Sequence, residues 1–73
     1  MAVEHVTLDR ISIDPDVMNG QPCVRGTRIT VKRVLYILAE GRDREEIFQD
    51  FPRLEDEDIR QALLYAADSV DGR

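Results

Sequence analysis

Apolar and polar side chains are interleaved over residues 8–14, and this alternation is typical of a half-buried strand that ends at Asp14-Pro15. Turn-forming residues follow at Pro15, Asn19, Gly20 and Pro22. A second short extended element is predicted at Cys23-Val24 and Ile29, with a tight turn at Gly26-Thr27 between them. The pattern therefore predicts a short pair of strands over about residues 8–30.

Helical periodicity replaces the alternation after Thr30. One face of the predicted helix carries Val31, Val34, Leu35 and Leu38. Thr30 is a suitable N-cap, because its hydroxyl can accept a hydrogen bond from the free N–H groups of the first turn. Gly41 stands where a left-handed C-terminal cap belongs. The first helix is therefore predicted over Val31–Glu40.

A second helix is predicted over about Arg44–Asp50. Asp43, with Glu46 three residues later, has the spacing of a capping box. Pro52 cannot continue a helix and ends this one. The apolar stripe of this helix comprises Ile47, Phe48 and Phe51.

A third helix is predicted from about Asp56, since acidic residues favour a helix N-terminus. Its expected apolar face consists of Ile59, Ala62, Leu63, Ala66, Ala67 and Val70. The connections between helices are about four residues or fewer, so neighbouring helices are expected to pack as a bundle. The second and third helices, joined by the link 51–54, have the spacing of a helix-turn-helix.

Composition places these elements in one small domain, residues 1–73. A chain of 73 residues with 42% apolar content can build only a modest core, so burial against a partner chain would add stability. Cys23 is the only cysteine, which excludes an internal disulfide. The sequence has neither the pattern of a signal peptide nor an apolar run that could span a membrane. We therefore predict a cytoplasmic protein.

The net charge of −5 hides an uneven distribution. In residues 22–42 a single acid, Glu40, stands against five cations. These cations are Arg25, Arg28, Lys32, Arg33 and Arg42. Residues 43–71 carry ten acids and three arginines. A basic middle followed by an acidic end bears on the choice of partner rather than on the fold.

Residues that would support catalysis are sparse. His5 is the only histidine and lies near the N-terminus, and Cys23 falls among strand-forming residues, where a buried thiol is expected. Residues 14–20 differ from a calcium loop because Met18 occupies a ligand position. Residues 20–26 lack the lysine of a phosphate-binding loop. We therefore predict that the chain is not an enzyme and holds no metal or cofactor.

The basic middle offers a candidate surface for binding a partner. Its candidate residues are Arg25, Arg28, Lys32 and Arg33. One interpretation is a solvated face that balances the acidic helices. The other is contact with phosphate oxygens or a partner's carboxylates, for which the planar guanidinium group is well shaped. For Arg28 a structural role is equally open, as an ion-pair partner of Asp14 or Asp16.

The third helix is a poor candidate for reading DNA. Its exposed and N-terminal positions are predicted to be Asp56, Glu57, Asp58, Arg60, Gln61 and Tyr65. Acids at such positions repel the phosphate backbone, which supplies most non-specific affinity. Contact with DNA would therefore have to come through the basic segment, in a dimer that doubles its charge.

The stretch IDPDVMNGQPCVRGTRI, residues 13–29, closely resembles the signature of a widespread family of small bacterial proteins, domain of unknown function number four hundred and thirty-three. Its most specific part comprises Gly20, Pro22, Gly26, Thr27, Arg28 and Ile29. The resemblance covers roughly residues 10–67. Glu55 departs from it, because the family pattern has Thr there as a helix cap. Since Glu caps poorly, the third helix is expected to start at Asp56.

The resemblance implies a mainly α fold, in which a short N-terminal β-strand pair (about 8–30) precedes a three-helix, helix-turn-helix-like (homeodomain-like) bundle (about 31–70). It also implies self-association and an antitoxin role in a type II toxin–antitoxin system, beside a PIN-like ribonuclease toxin. The motif residues Gly20, Pro22, Gly26, Thr27 and Ile29 then have structural roles. Promoter DNA is a possible further partner. The alternatives are a stand-alone helix-turn-helix transcriptional regulator and a structural dimer or adaptor.

The resemblance also leads to a hypothesis about mechanism. PIN-like nucleases gather carboxylates around magnesium. An arginine presented by an inhibitor can pair with those acids and so displace the metal or block the binding of RNA. Arg25 and Arg28 are the candidates for this role.

Overall fold

The computed structural model describes residues 8–71, and its elements follow the predicted order. Two short strands come first, β1 (Ile11–Ser12) and β2 (Cys23–Val24), with a single 3-10 turn at Met18–Gly20 between them. Three helices follow, α1 (Val31–Ala39), α2 (Arg44–Asp50) and α3 (Asp56–Asp71). The predicted fold, mainly α with an N-terminal strand pair and three helices, is therefore confirmed.

The strand pair is shorter than the alternation predicted. β1 and β2 are antiparallel, with Ile11 opposite Val24 and Ser12 opposite Cys23. In this register Ile13 would lie opposite Pro22 at a position where the backbone groups point away from β1, and the next residue that would donate to β1, Gln21, donates its N–H to the Met18 carbonyl at 3.2 Å instead. Pairing therefore stops after Ser12, and the side chain of Ile13 is 58% exposed.

The termini of α1 follow the predicted capping. The Thr30 hydroxyl accepts a hydrogen bond from the backbone N–H of Arg33 at 3.0 Å. The helix ends at Ala39, one residue earlier than predicted. Gly41 follows with φ +84°, in the left-handed region where glycine has no steric penalty.

The predicted bounds and capping box of α2 are also confirmed. The Asp43 side chain accepts a hydrogen bond from the backbone N–H of Glu46 at 2.9 Å, and the Glu46 side chain accepts one from the backbone N–H of Asp43 at 3.3 Å. These contacts involve residues three apart in sequence, so the local pattern was sufficient to predict them.

The core lies between α1 and α3, which form the most extensive contact between helices. The short connections had predicted packing between helices adjacent in sequence, whereas α1 and α3 are not adjacent. α2 contributes Ile47, and the link to α3 contributes Leu54. The buried apolar side chains of this core are Val24, Val31, Val34, Ile37, Ile47, Leu54, Ile59 and Ala62.

The predicted apolar face of α3 is only partly buried. Ile59 and Ala62 are fully covered, but Leu63 is 43% exposed and Val70 is 79% exposed. α3 has 16 residues and α1 only 9, so at 1.5 Å per residue α3 is about 10 Å longer than the helix it packs against. Neither α3 nor any other described helix is long and apolar enough to cross a membrane.

Candidate functional site

The loop between β2 and α1, residues 25–29, presents two of the predicted binding arginines. The N–H of Val24 donates to the Ile29 carbonyl at 2.9 Å, and the N–H of Thr27 donates to the Val24 carbonyl at 3.0 Å. The Thr27 hydroxyl donates to the same Val24 carbonyl at 2.8 Å and accepts from the N–H of Ile29 at 2.9 Å. These bonds hold the loop in one shape, with Arg25 and Arg28 exposed on it.

Three other motif residues shape the backbone around this loop. Gly26 has φ +79°, and a Cβ atom there would meet nothing within 4 Å, so the backbone conformation rather than space favours glycine. Gly20 has φ +81°, and a Cβ atom on it would lie 3.8 Å from the Cα of Pro15. The carbonyl of Pro22 accepts a hydrogen bond at 2.9 Å from the N–H of Val31, which ties the loop to the start of α1.

The cations of residues 8–71 divide into two groups. The first group contacts carboxylates and consists of Arg10, Arg42, Arg44 and Arg60. The second has no carboxylate oxygen within 4.0 Å in that part of the chain, and consists of Arg25, Arg28, Lys32, Arg33 and Arg53. Unpaired arginines gathered on a chain of net charge −5 create a local positive field that favours an acidic partner.

Three shallow depressions connect the four arginines of the second group. The first, about 590 Å³, lies between Arg28 and Arg53. The second, about 320 Å³, lies between Arg25 and Arg53 and is also lined by three acids, Asp9, Glu55 and Asp58. The third, about 310 Å³, lies between Arg28 and Arg33. We call Arg25, Arg53, Arg28 and Arg33, which line these neighbouring depressions, the arginine surface. Lys32 is exposed on α1 but lines none of these three depressions.

Arg53 belongs to this surface although no sequence pattern had singled it out. It lies in the turn between α2 and α3, within the acidic part of the chain. Its Nη2 donates a hydrogen bond to the Gly26 carbonyl at 3.0 Å, across 27 residues of sequence. No local pattern encodes a contact over that separation, so only the folded chain shows that Arg53 stands between Arg25 and Arg28.

Arg33 is held against an aromatic ring. Its guanidinium carbon lies 5.7 Å from the centre of the Phe51 ring, within the range of a cation–π contact. Because the ring faces the cation and no carboxylate of the described chain does, Arg33 keeps its hydrogen-bond donors for a partner.

The structure does not show Arg28 paired with an aspartate of the strand segment, which was the alternative interpretation of this residue. No ion pair joins Arg28 to Asp14 or Asp16 within the described residues. Asp14 instead accepts a hydrogen bond from the backbone N–H of Asp16 at 2.9 Å. Asp14 and Arg28 still line the same depression. The strand segment is held to the helices by a different arginine, Arg10.

Arg10 connects α3 to the loop that carries Arg25. Its Nη1 lies 2.6 Å from Glu55 and 3.2 Å from Asp58, and these carboxylates hold the pKa of Arg10 above its usual value. Its backbone N–H donates to Gln61 Oε1 at 2.8 Å, and its carbonyl accepts from the N–H of Arg25 at 2.7 Å. Arg10 therefore fixes the position of the arginine surface relative to α3.

Two residues expected to be exposed on α3 are buried. Asp58 is 4% exposed and Gln61 is 3% exposed, so their predicted exposure was wrong. The segment around Arg10 covers this side of α3, and Asp58 additionally accepts a hydrogen bond at 2.8 Å from the backbone N–H of Glu55. Side chains committed to such contacts cannot read base edges, which further disfavours α3 as a DNA-reading helix.

The residues considered for catalysis do not form a site in the part of the chain that is described. Burial raises the pKa of the Cys23 thiol, whose Sγ lies 3.4 Å from the carbonyl of Gln21. A raised pKa reduces the thiolate fraction that would act as a nucleophile. His5 lies outside the described residues. No group of three His, Cys, Asp or Glu side chains within them could hold a metal ion.

The fold and this surface define a small, mainly helical protein with an N-terminal strand pair and an exposed cationic face. The chain belongs to the family described as protein of unknown function (DUF433), whose model matches residues 11–66. This confirms the family resemblance seen in the sequence.

Two relatives extend this assignment. The chain is 39% identical over 64 residues to the uncharacterized protein y4eO of Sinorhizobium fredii, a match that covers 86% of this chain and 29% of that protein. The crystal structure of a DUF433 member from Anabaena variabilis is similar, with 30% identity and a TM-score of 0.78, over 86% of this chain and 62% of that one. The chain thus spans less than a third of the curated relative and less than two thirds of the solved one.

Proposed function

We propose that this chain is an antitoxin of a type II toxin–antitoxin system, which binds and inhibits a PIN-like ribonuclease and has no catalytic activity of its own. The observation that carries the proposal is the arginine surface, in which Arg25, Arg28, Arg33 and Arg53 are exposed and lack a carboxylate partner in the described chain. The family resemblance supplies the antitoxin class.

The chemistry of the proposed target matches this surface. A nuclease that gathers carboxylates around magnesium presents concentrated negative charge at its active site. Guanidinium groups form paired, charge-assisted hydrogen bonds with carboxylates, so Arg25 or Arg28 at that site would compete with metal and RNA. The hydrogen-bonded loop supports the mechanism, because side chains on a preformed loop lose less conformational entropy on binding.

The test is co-expression of this chain with the product of the adjacent gene. Size-exclusion chromatography with light scattering would detect a complex, and a ribonuclease assay would measure inhibition. We expect a co-eluting complex with suppressed nuclease activity, and loss of inhibition when Arg25 and Arg28 are both changed to Ala. Arg44→Ala is the matched control, since Arg44 is also exposed but lies 3.0 Å from Asp56 and outside the arginine surface. Unchanged inhibition by a folded double variant would refute the role of these two residues.

Promoter DNA is the second candidate partner. Guanidinium groups bind phosphate oxygens as well as carboxylates, and the arginine surface is the part of the described chain suited to this. Fluorescence anisotropy with promoter DNA should then show affinity that falls steeply with salt and requires Arg28. Salt-independent or absent binding, together with nuclease inhibition, would leave the toxin as the partner.

Self-association stays a prediction of the sequence. Leu63 and Val70 provide exposed apolar surface on α3. The light-scattering measurement on the isolated chain tests it directly.

A further inference from the structure

Two of the depressions on the arginine surface share Arg28 and Ile29 as lining residues, and we call the two together the Arg28 groove. Its polar end is lined by Arg28, Arg53 and the Thr27 side chain. Its apolar end is lined by Met18, Ile29 and Phe51, with Arg33 at the edge. Cationic and apolar surface thus lie side by side.

We infer that the Arg28 groove binds a short acidic segment of a partner protein, with a carboxylate between Arg28 and Arg53 and an adjacent apolar side chain against Met18, Ile29 and Phe51. The inference rests on the proposed function, which it deepens by naming the chemistry that the partner must present. It also assigns binding roles to Met18, Phe51 and Arg53.

Charge favours a carboxylate at the polar end. Arg28 and Arg53 have no acidic partner within 4.0 Å in residues 8–71, and only one of the donors of Arg53 is used, by the Gly26 carbonyl. Two like charges at one depression repel each other, and an anion between them removes that repulsion. Asp14 also lines this end, so its charge opposes a doubly charged phosphate more strongly than a single carboxylate.

The apolar end explains why a peptide fits better than nucleic acid. Met18 is 38% exposed and has φ +49°, so an apolar side chain is held at the surface on a backbone conformation that is unfavourable for it. Phe51 is partly buried, and the guanidinium of Arg33 occupies one face of its ring. A sugar–phosphate backbone gains little from such a surface, whereas a Leu, Ile or Phe beside an acid would bury it.

The test starts from a displayed library of random short peptides selected on the wild-type chain. We expect enrichment of Asp or Glu next to Leu, Ile or Phe. A synthetic copy of the most enriched peptide, added to the ¹⁵N-labelled chain, should shift the amide resonances of residues 26–29 and of Met18, Phe51 and Arg53. Its affinity should fall about tenfold or more in Arg28→Ala, the loss expected when a charged group loses its hydrogen-bonding partner.

Two further variants separate the ends of the groove. Met18→Asn removes the apolar side chain and places there a residue that tolerates positive φ, and should weaken peptide binding about fivefold. Arg53→Lys keeps the charge but not the planar fork, and should weaken it less than Arg28→Ala does. Arg44→Ala, which removes an equal charge outside the groove, should change the affinity by less than about twofold.

Several results would overturn the inference. One is a library that enriches no acidic motif, or peptides that bind the folded Arg28→Ala variant as tightly as the wild type. Another is a random-sequence DNA duplex, or inorganic phosphate, that shifts the groove resonances when the acidic peptide does not.

Peptide binding without nuclease inhibition would refute the antitoxin function alone. Nuclease inhibition unaffected by Arg28→Ala and Met18→Asn would refute the groove alone.

Discussion

Replacing Gln61 with Leu tests whether the contact between α3 and the strand segment holds the arginine surface in place. Gln61 is buried, accepts a hydrogen bond from the backbone N–H of Arg10, and donates at 2.9 Å to Asp9 and at 2.8 Å to Glu57. The carbonyl of Arg10 in turn accepts a hydrogen bond from the N–H of Arg25. Leu has nearly the same size and fills the same space, so the change removes the hydrogen bonds with little change in packing.

The expected magnitude comes from the group that is left without a partner. The partly buried N–H of Arg10 loses its acceptor, at a cost of about 1–3 kcal/mol. Water can replace the donor at the exposed carboxylates, and the buried Leu recovers part of the cost by apolar contact. The net loss should be about 1–2 kcal/mol, which for a domain of this size lowers Tm by roughly 5–15 °C. That is a large share of the stability a small core supplies.

Urea unfolding followed by circular dichroism measures this loss, with Gln49→Leu as the matched control on the exposed side of α2. The same samples can be examined by ¹⁵N NMR, in which the amides of Arg25 and its neighbours should shift in Gln61→Leu only. A free energy of unfolding within about 0.5 kcal/mol of the control would refute the reasoning, because exposed substitutions usually fall in that range. Unchanged Arg25 resonances would refute the coupling to the loop.

Three further outcomes are expected. The hydrogen bonds from Gln61 lower the pKa values of Asp9 and Glu57 below their ordinary 3.8 and 4.5, so their contribution to stability is present above those values and is lost as the pH falls through the lowered ones. The free energies of unfolding measured by urea titration near neutral pH and at about pH 3 should therefore differ less in Gln61→Leu than in the wild type. An equal difference would contradict this. Thr30→Ala removes the N-cap of α1 and should cost about 1 kcal/mol, while Thr30→Ser should restore most of it in the same unfolding measurement. Cys23 should react with a thiol reagent slowly in the native protein and fast in urea, because it is 2% exposed and burial raises its pKa; fast native labelling would refute its burial.

The elements that the sequence predicted accurately are those governed by neighbouring residues. Thr30 caps α1 through Arg33, and Asp43 and Glu46 cap α2 through each other. The strand was predicted less well. Its alternation was visible, but its length depended on the conformation of the connecting loop, in which the N–H of Gln21 donates to the Met18 carbonyl rather than to β1.

The sequence by itself determined the order of the elements, the helix termini and the concentration of positive charge in residues 22–42, because these depend on spacing and composition. Only the tertiary structure placed Arg53 beside Gly26, buried Asp58 and Gln61 under the Arg10 segment, and left Leu63 and Val70 exposed. These features depend on contacts between residues 27 to 51 positions apart, or on which part of α3 the other elements cover. The packing of the whole chain decides such contacts, and no local pattern records them.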